Sequence, residues 1–256
     1  MRLIATLSIE DHAISEQLSL LQTLELTDSF HVRVSGRARR MSIRVHPHGQ
    51  VEVVVPKRTP AGDVQTFVGA QREWIERARR ALGVQDRPPV ALFPSEIRFR
   101  FVEKQWGVSH VAFPGQARLR VLADELQIHG QQSGDPSGFR LLQDWLKQQG
   151  KRLLVPRLES LSRETGLDFK HSQMRLQRSR WGSCSSRGSI SLNAAALFVE
   201  PALVDYLILH ELSHTRHMNH SPKFWGLLDT LAPGARKLDR ALNLAWRDVP
   251  PWLYRR

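Results

Sequence analysis

The sequence contains a single cysteine, Cys184, among its 256 residues. One thiol cannot form a disulfide within the chain, so a disulfide-stapled fold is excluded and a reducing compartment is favoured. A zinc site built from several cysteines is excluded by the same count. Any bound metal must therefore be held mainly by histidine, of which the sequence has 11.

Long apolar runs are also absent. No stretch approaches the ~20 apolar residues that a helix needs to cross a bilayer. Residues 1–11 carry one basic residue and a short apolar patch interrupted by acids, which is a poor match to a signal peptide. We therefore expect a cytoplasmic protein without a membrane partner.

Acidic residues are fewer than basic ones, 25 against 37, which gives a formal net charge of +12. A basic surface attracts polyanions, so nucleic acid or nucleotides are candidate partners. The alternative is an arginine-rich surface that is only solvated. The basic residues are spread along the chain but are locally dense at residues 33–44 and 72–80. The sequence does not indicate an oligomeric state.

The most informative stretch is His210-Glu211-Leu212-Ser213-His214, which has the pattern H-E-x-x-H. On a helix, residues four positions apart lie one turn apart on the same face. His210 and His214 can therefore bind one metal ion, and Glu211 can reach a water molecule in an open coordination position. The alternative is a helix whose histidines are ordinary surface or core side chains.

A third histidine, His220, follows His214 after five residues, so it shares that face only if the chain turns. Asn219 tolerates a left-handed conformation, and Ser221-Pro222 is typical of an N-cap followed by the first position of a new helix. We expect the first helix to end near Met218 and the chain to bring His220 back to the ion. Three histidine ligands with an open fourth position are typical of catalytic zinc.

The whole sequence predicts an α+β protein with three regions. Residues 1–30 are an N-terminal extension of unknown role, residues 31–134 a β-rich region with a helix, and residues 135–256 the catalytic domain. We expect the strands of the second region to form one antiparallel sheet, with a turn at residues 105–107. We also expect one helix that begins with Thr59 as N-cap and continues to a stop at Gly83. The predicted strands cover residues 41–46, 51–55, 97–102, 108–113, 118–122 and 125–129.

Several motifs together resemble the YgjP-like metallopeptidases, relatives of the SprT-like and WLM zinc proteases. The likeness reaches upstream to about residue 31, and its departures are small, notably Ser213 and His217. The resemblance implies a zincin-like catalytic domain, in which a strand precedes the helix that bears the first two histidines. The motifs are Arg180-Trp181-Gly182-Ser183-Cys184-Ser185, Ile190-x-Leu192-Asn193, His210-Glu211-Leu212-Ser213-His214 and Asn219-His220-Ser221-Pro222-x-Phe224-Trp225.

The leading functional hypothesis is a zinc metallopeptidase that cleaves polypeptides, with zinc on His210, His214 and His220 and with Glu211 as general base. One alternative is a metal-dependent nucleoside triphosphate pyrophosphatase, an activity that has also been assigned within the family. A Gly-rich phosphate loop and a paired-carboxylate metal site are absent, which counts against it. Another alternative is a non-catalytic, nucleic-acid-associated zinc protein, although a structural site does not need Glu211.

The segment from Trp181 to Asn193 has two interpretations. It can be an edge that pairs with an extended peptide substrate, or Trp181 can fill the core while the glycines only permit tight turns. Cys184 is either a fourth, switch-like metal ligand or a small packed side chain, and the second is favoured because a lone buried cysteine is usually inert. Arg180 and His217 are weaker candidates for contacts to an oxyanion or a phosphate.

Overall fold

The computed structural model describes residues 30–46, 49, 51–83, 93–130 and 136–254. The chain divides into two compact units, Met1–Asp86 and Arg87–Arg256. The N-terminal extension proposed from the sequence lies outside the described residues, apart from Phe30. The sequence boundary between residues 134 and 135 differs from the division between the units, and the three-region scheme stays a prediction.

The described part of the first unit is a three-stranded sheet with two α-helices. Strand β3 lies in the centre, parallel to β1 and antiparallel to β2. Alternate valines of β3 point to one face of the sheet, where they form a core with Val64 and Ile75 of the helices. The elements are β1 (Phe30–Ser35), β2 (Ser42–Val45), β3 (Val51–Pro56), α1 (Ala61–Ala70) and α2 (Arg72–Leu82).

The single helix predicted after Thr59 is wrong, because the chain breaks at Gln71 into two helices. Gln71 has φ −102° and ψ 8°, which interrupts the helical hydrogen bonds. The predicted cap is also wrong: Pro60 occupies the N-cap position, and the Thr59 hydroxyl donates to the Pro56 carbonyl at 2.9 Å. The predicted stop is confirmed, since Gly83 adopts the left-handed conformation with φ 63°.

The described part of the second unit contains two sheets, four α-helices and three short 3-10 helices. The first sheet has the order β4-β5-β7-β6 and the second the order β8-β10-β9. The strands are β4 (Glu96–Phe99), β5 (Lys104–Ala112), β6 (Arg118–Val121), β7 (Glu125–Gly130), β8 (His171–Arg175), β9 (Gly182–Cys184) and β10 (Ser189–Asn193). The helices are α3 (Pro136–Thr165), α4 (Pro201–Ser213), α5 (Pro222–Leu231) and α6 (Ala235–Leu244).

The expected single antiparallel sheet is wrong, because the strands form separate sheets that each contain a parallel pair. In every sheet, three consecutive strands take the order first-third-second, so that β1 is parallel to β3, β5 to β7 and β8 to β10. Hydrophobic alternation predicts where a strand lies but carries no information about its partner, which explains the error. The architecture is mixed α and β.

The core of the second unit forms around α3, a helix of 30 residues. Its Trp145 packs against Phe99 and Trp106, with ring centroids 5.4 Å and 5.2 Å away. Trp106 lies within β5, so the predicted turn at residues 105–107 is wrong: burial of the indole holds this segment in the sheet. Among the described residues, no helix has the length and apolar character needed to cross a bilayer.

Candidate metal centre

Helix α4 is surrounded by the core on nearly all sides. Glu200 is its N-cap and Pro201 its first residue, a position where the missing N–H costs no helical hydrogen bond. Val204, Ile208 and Leu212 are at most 1% exposed. A helix that is apolar all round is held by packing rather than by one amphipathic face. The last turn, which carries His210 and Glu211, is therefore fixed in position.

The helix ends at Ser213, five residues before the predicted end near Met218. Hydroxyl groups bind the last carbonyls, because Ser213 Oγ donates to the Leu209 oxygen at 2.7 Å and Thr215 Oγ1 donates to the Leu212 oxygen at 2.8 Å. The Thr215 N–H also donates to the Leu212 oxygen, at 2.9 Å. These bonds tighten the last helical turn, and the chain leaves the helix after Ser213.

The structure brings the three histidines together. His210 lies in α4, His214 is its C-cap, and His220 returns after the turn that follows. One ring nitrogen from each histidine lies within 4.8 Å of the others, and the Nε2 atoms of His210 and His220 are 3.1 Å apart. As predicted, Ser221 caps the next helix, accepting from the Phe224 N–H at 3.4 Å.

Two of the imidazole rings are oriented by hydrogen bonds at Nδ1. The Tyr206 hydroxyl donates to Asp239 Oδ1 at 3.2 Å and lies 3.4 Å from His210 Nδ1. Because that hydroxyl has only one proton, it accepts from His210 Nδ1–H, which leaves the Nε2 lone pair for a ligand. His214 Nδ1 lies 3.1 Å from the His217 carbonyl oxygen, which requires the same tautomer.

Phe224 forms an apolar floor for the cluster. Its ring is fully buried, stacks on His214 at a centroid distance of 4.5 Å and meets His210 and His220 edge-on at 5.0 Å and 4.8 Å.

Burial also changes the pKa of the His210 ring. It lowers the pKa of His210 to about 3, with smaller contributions from His214 and His220. His210 is therefore neutral at pH 7, the form that binds metal ions.

Glu211 lies beside the histidines as a buried carboxyl that is 5% exposed. Burial raises its pKa to about 8, and the positive charge of Arg180 opposes this shift. Within the described part of the chain, its Oε2 atom has no hydrogen-bond partner. A buried carboxyl oxygen without a partner is costly in a folded protein, and a carboxyl with a shifted pKa in a cleft is a candidate functional group.

Strand β9 forms one wall of the site. Gly182, Ser183 and Cys184 line a cleft of about 250 Å³ together with the three histidines, Glu211 and Met218. Gly182 lies in the strand and not in a turn, and its backbone approaches Glu211 closely. A Cβ atom at residue 182 would lie 2.6 Å from Glu211 Oε1, so any larger residue there requires the Glu211 side chain or the strand to shift.

Replacing Gly182 with alanine is expected to displace the Glu211 carboxyl or the strand, because the added methyl group cannot fit. We expect a loss of about 1–3 kcal/mol in the free energy of unfolding and a loss of hydrolytic activity. Urea unfolding and turnover would be measured. The matched control is Gly226→Ala in α5, where an added Cβ meets nothing within 4 Å. Equal stability and activity in both variants would contradict the close approach.

Cys184 lies in the cleft wall but outside the group formed by the three histidines. Burial raises the pKa of its thiol to about 11, and the charge of Glu211 adds to the shift. The Sγ–H donates to the Ser185 carbonyl oxygen at 3.4 Å. These features favour the packed-thiol interpretation over a thiolate ligand.

Buried residues on either side of β9 in the sequence hold this strand in position. Trp181 is buried and stacks on Trp246 with a centroid distance of 4.0 Å, so it fills the core as one interpretation predicted. The Asn193 amide, fully buried, donates to the carbonyl oxygens of Gln177 and Arg180 at 2.7 Å and 2.8 Å. These bonds position the loop that leads into β9.

The residues that orient the rings were not predicted from the sequence. Tyr206 lies one helical turn before His210, and this i, i+4 spacing is a signal that could have identified it. Asp239 and Phe224 act from other helices, and only the fold brings them to the site. His217 contributes its backbone carbonyl to the orientation of His214, and the side-chain contact considered from the sequence stays a prediction.

The chain is similar to a known family of metallopeptidases. The family model described as YgjP-like, metallopeptidase domain matches residues 39–245. The crystal structure of the metallopeptidase zymogen of Pyrococcus abyssi abylysin is similar at 26% identity, over 35% of this chain and 91% of that chain, with a TM-score of 0.32. A search of the curated proteins finds no match.

The family match defines the class: metal-dependent peptide hydrolases. The chain belongs to the YgjP-like metallopeptidase family, because the match covers most of its length. The family implies a metal ion, and the three-histidine group provides a set of donors for one.

Proposed function

We propose that the protein is a zinc-dependent peptidase in which His210, His214 and His220 bind zinc and Glu211 is the general base. The observation that carries the proposal is the convergence of three imidazole nitrogens within 4.8 Å, in one cleft with a buried carboxyl. If the histidines were only structural, an unpartnered carboxyl oxygen beside them would cost folding free energy without any gain.

The donor set fits zinc in a catalytic site. The donors are three imidazole nitrogens, and no fourth His, Cys, Asp or Glu from the described residues joins the group. Zinc with three protein ligands keeps a position for water or substrate, whereas structural zinc has four. Bound there, zinc would polarise the scissile carbonyl group and lower the pKa of a water molecule toward ~7.

Glu211 supplies the proton transfers. Its carboxylate accepts a proton from the attacking water and then donates it to the leaving amine, as a general base and acid. Burial raises the pKa of this carboxyl to about 8, so its carboxylate form, which predominates above that pH, is a stronger base than that of an exposed glutamate. The opposing charge of Arg180 prevents a still larger rise.

Strand β9 offers a binding edge for an extended polypeptide. One side of β9 pairs with β10, in the register Ser191 to Ser183. Among the described strands, none pairs with its other side. A substrate that adds there as a further strand would form main-chain hydrogen bonds and bring a peptide bond into the cleft.

The test is a comparison of two substrate classes with one protein preparation. We expect the zinc-loaded chain to cleave an unfolded polypeptide, to lose that activity on chelation and to regain it with zinc. Nucleoside triphosphates are the comparison substrates. Release of pyrophosphate or phosphate without peptide cleavage would overturn the proposal in favour of a nucleotide hydrolase. Hydrolysis that persists at full rate after metal removal would overturn it as well.

A further inference from the structure

Residues 30–83, the main described segment of the first unit, are strongly basic. Residues 30–83 contain 11 Lys and Arg against four Asp and Glu, a net charge of +7 in 54 residues. Residues 84–256 have a net charge of +9, but over 173 residues. The charge density of the first segment is more than twice that of the second, and the metal centre does not explain it.

The sheet topology gathers five of these cations at one end. Because β1 and β3 are parallel and β2 is antiparallel to β3, the chain leaves β1 and β3 and enters β2 at the same end of the sheet. The register Ser35 to Pro56 places the two exits side by side. We name this cluster the basic end; it consists of Arg37, Arg39, Arg40, Lys57 and Arg58.

A contact between the two turns supports this placement. A Cβ atom at Gly36 would lie 3.2 Å from the Cε atom of Lys57, so the lysine side chain crosses the turn after β1. That turn is closed by the Ala38 N–H, which donates to the Ser35 oxygen at 3.2 Å. The cations of the two turns therefore share one surface.

The basic end is exposed and largely without opposing charge. All five side chains are exposed. In the part of the chain that the structure describes, Arg37, Arg39, Arg40 and Lys57 form no ion pair. Elsewhere in the same unit, Arg33 binds Glu52 at 2.9 Å. Four cations that repel one another without a carboxylate partner do not stabilise the fold, so their concentration requires another explanation.

We propose that the basic end binds the phosphate backbone of a nucleic acid. Four of its five cations are arginines, whose guanidinium groups bind phosphate in a bidentate manner. The strands are about 4.8 Å apart, so the cluster spans about 10 Å, a length over which duplex DNA presents about six charges. The start of α1 follows Arg58 after two residues, and its dipole adds positive potential at the same end.

A lipid surface is the less suitable polyanion. Basic membrane-binding segments combine cations with apolar side chains that enter the bilayer. In the described part of the first unit, the one large apolar side chain that is well exposed is Trp74. It lies in α2, whose Arg79 donates to the Gly49 carbonyl at 3.4 Å, at the opposite end of the sheet. The basic end therefore has cations but no apolar anchor.

The test uses the full chain and a fluorescent 20-base-pair DNA duplex, with binding measured by anisotropy over a range of salt concentrations. The double variant Arg39→Gln/Arg40→Gln removes two charges from the basic end. The matched control Arg77→Gln/Arg80→Gln removes two exposed charges from α2, near the opposite end. The conservative double variant Arg39→Lys/Arg40→Lys retains the charge. The metal centre plays no part, so the measurements are made with chelator present.

We expect wild-type binding that weakens steeply with salt. The basic-end variant should bind at least tenfold more weakly at about 0.1 M salt, and its log–log salt slope should fall by about 2. The control should change the slope by less than half as much, and the lysine variant should keep most of the affinity. Equal losses in the two glutamine variants would overturn the proposal. So would binding to phosphatidylserine vesicles without binding to the duplex.

Discussion

Replacing Glu211 with glutamine is expected to lower the turnover number about 10²–10⁴-fold, the contribution typical of a general base. The amide is nearly the same size as the carboxyl, but it cannot accept a proton from water. The three histidines are unchanged, so the variant should still bind one metal ion per chain. Turnover on an unfolded polypeptide and metal content would be measured on the same preparations.

The matched control is Glu159→Gln, which makes the same substitution at an exposed glutamate of α3. It should keep the wild-type rate. Full turnover in Glu211→Gln would remove Glu211 from the mechanism. Loss of metal from Glu211→Gln would instead make the carboxyl a ligand. In either case the assignment of roles within the cleft would be wrong.

Replacing His214 with alanine is expected to lower metal affinity at least about a hundredfold, above the 10–100-fold typical of residues that only orient a ligand. The ring belongs to the three-histidine group, and its Nδ1 is held by the His217 carbonyl. Without it, two imidazoles cannot hold zinc at micromolar concentrations of a competing chelator. Competitive titration with a chromogenic chelator measures the affinity directly.

The matched control is His217→Ala, which removes a nearby imidazole but keeps the backbone carbonyl that His214 contacts. Its metal affinity should stay within a few-fold of the wild-type value. Wild-type affinity in both variants would show that the ion is bound elsewhere. A loss in His217→Ala as large as that in His214→Ala would place both side chains at the metal.

The parts of the site that lie on one helix were predictable from the sequence. A period of 3.6 residues places His210 and His214 on one face whatever the rest of the fold does. The return of His220 was also anticipated, because Ser221 and Pro222 mark a new helix start. The exact end of α4 could not be predicted, since it depends on which backbone carbonyls the hydroxyls of Ser213 and Thr215 bind.

Features that depend on contacts between distant parts of the chain could not be predicted from sequence patterns. Strand positions follow from alternation, but the first-third-second order of the sheets depends on which edges meet in the folded chain. The hydrogen bond from Tyr206 to Asp239 joins two helices. Likewise, the requirement for glycine at residue 182 arises only because β9 packs against the Glu211 carboxyl.

The central claim is that one ion is held by three histidines beside Glu211, with a coordination position left for substrate. Anomalous X-ray scattering at the zinc edge, from crystals of the zinc-loaded chain, tests it most directly. We expect one strong peak about 2.0–2.1 Å from a ring nitrogen of each of His210, His214 and His220, with no fourth protein ligand. A peak elsewhere would contradict it, and so would a closed site in which Cys184 supplies the fourth ligand.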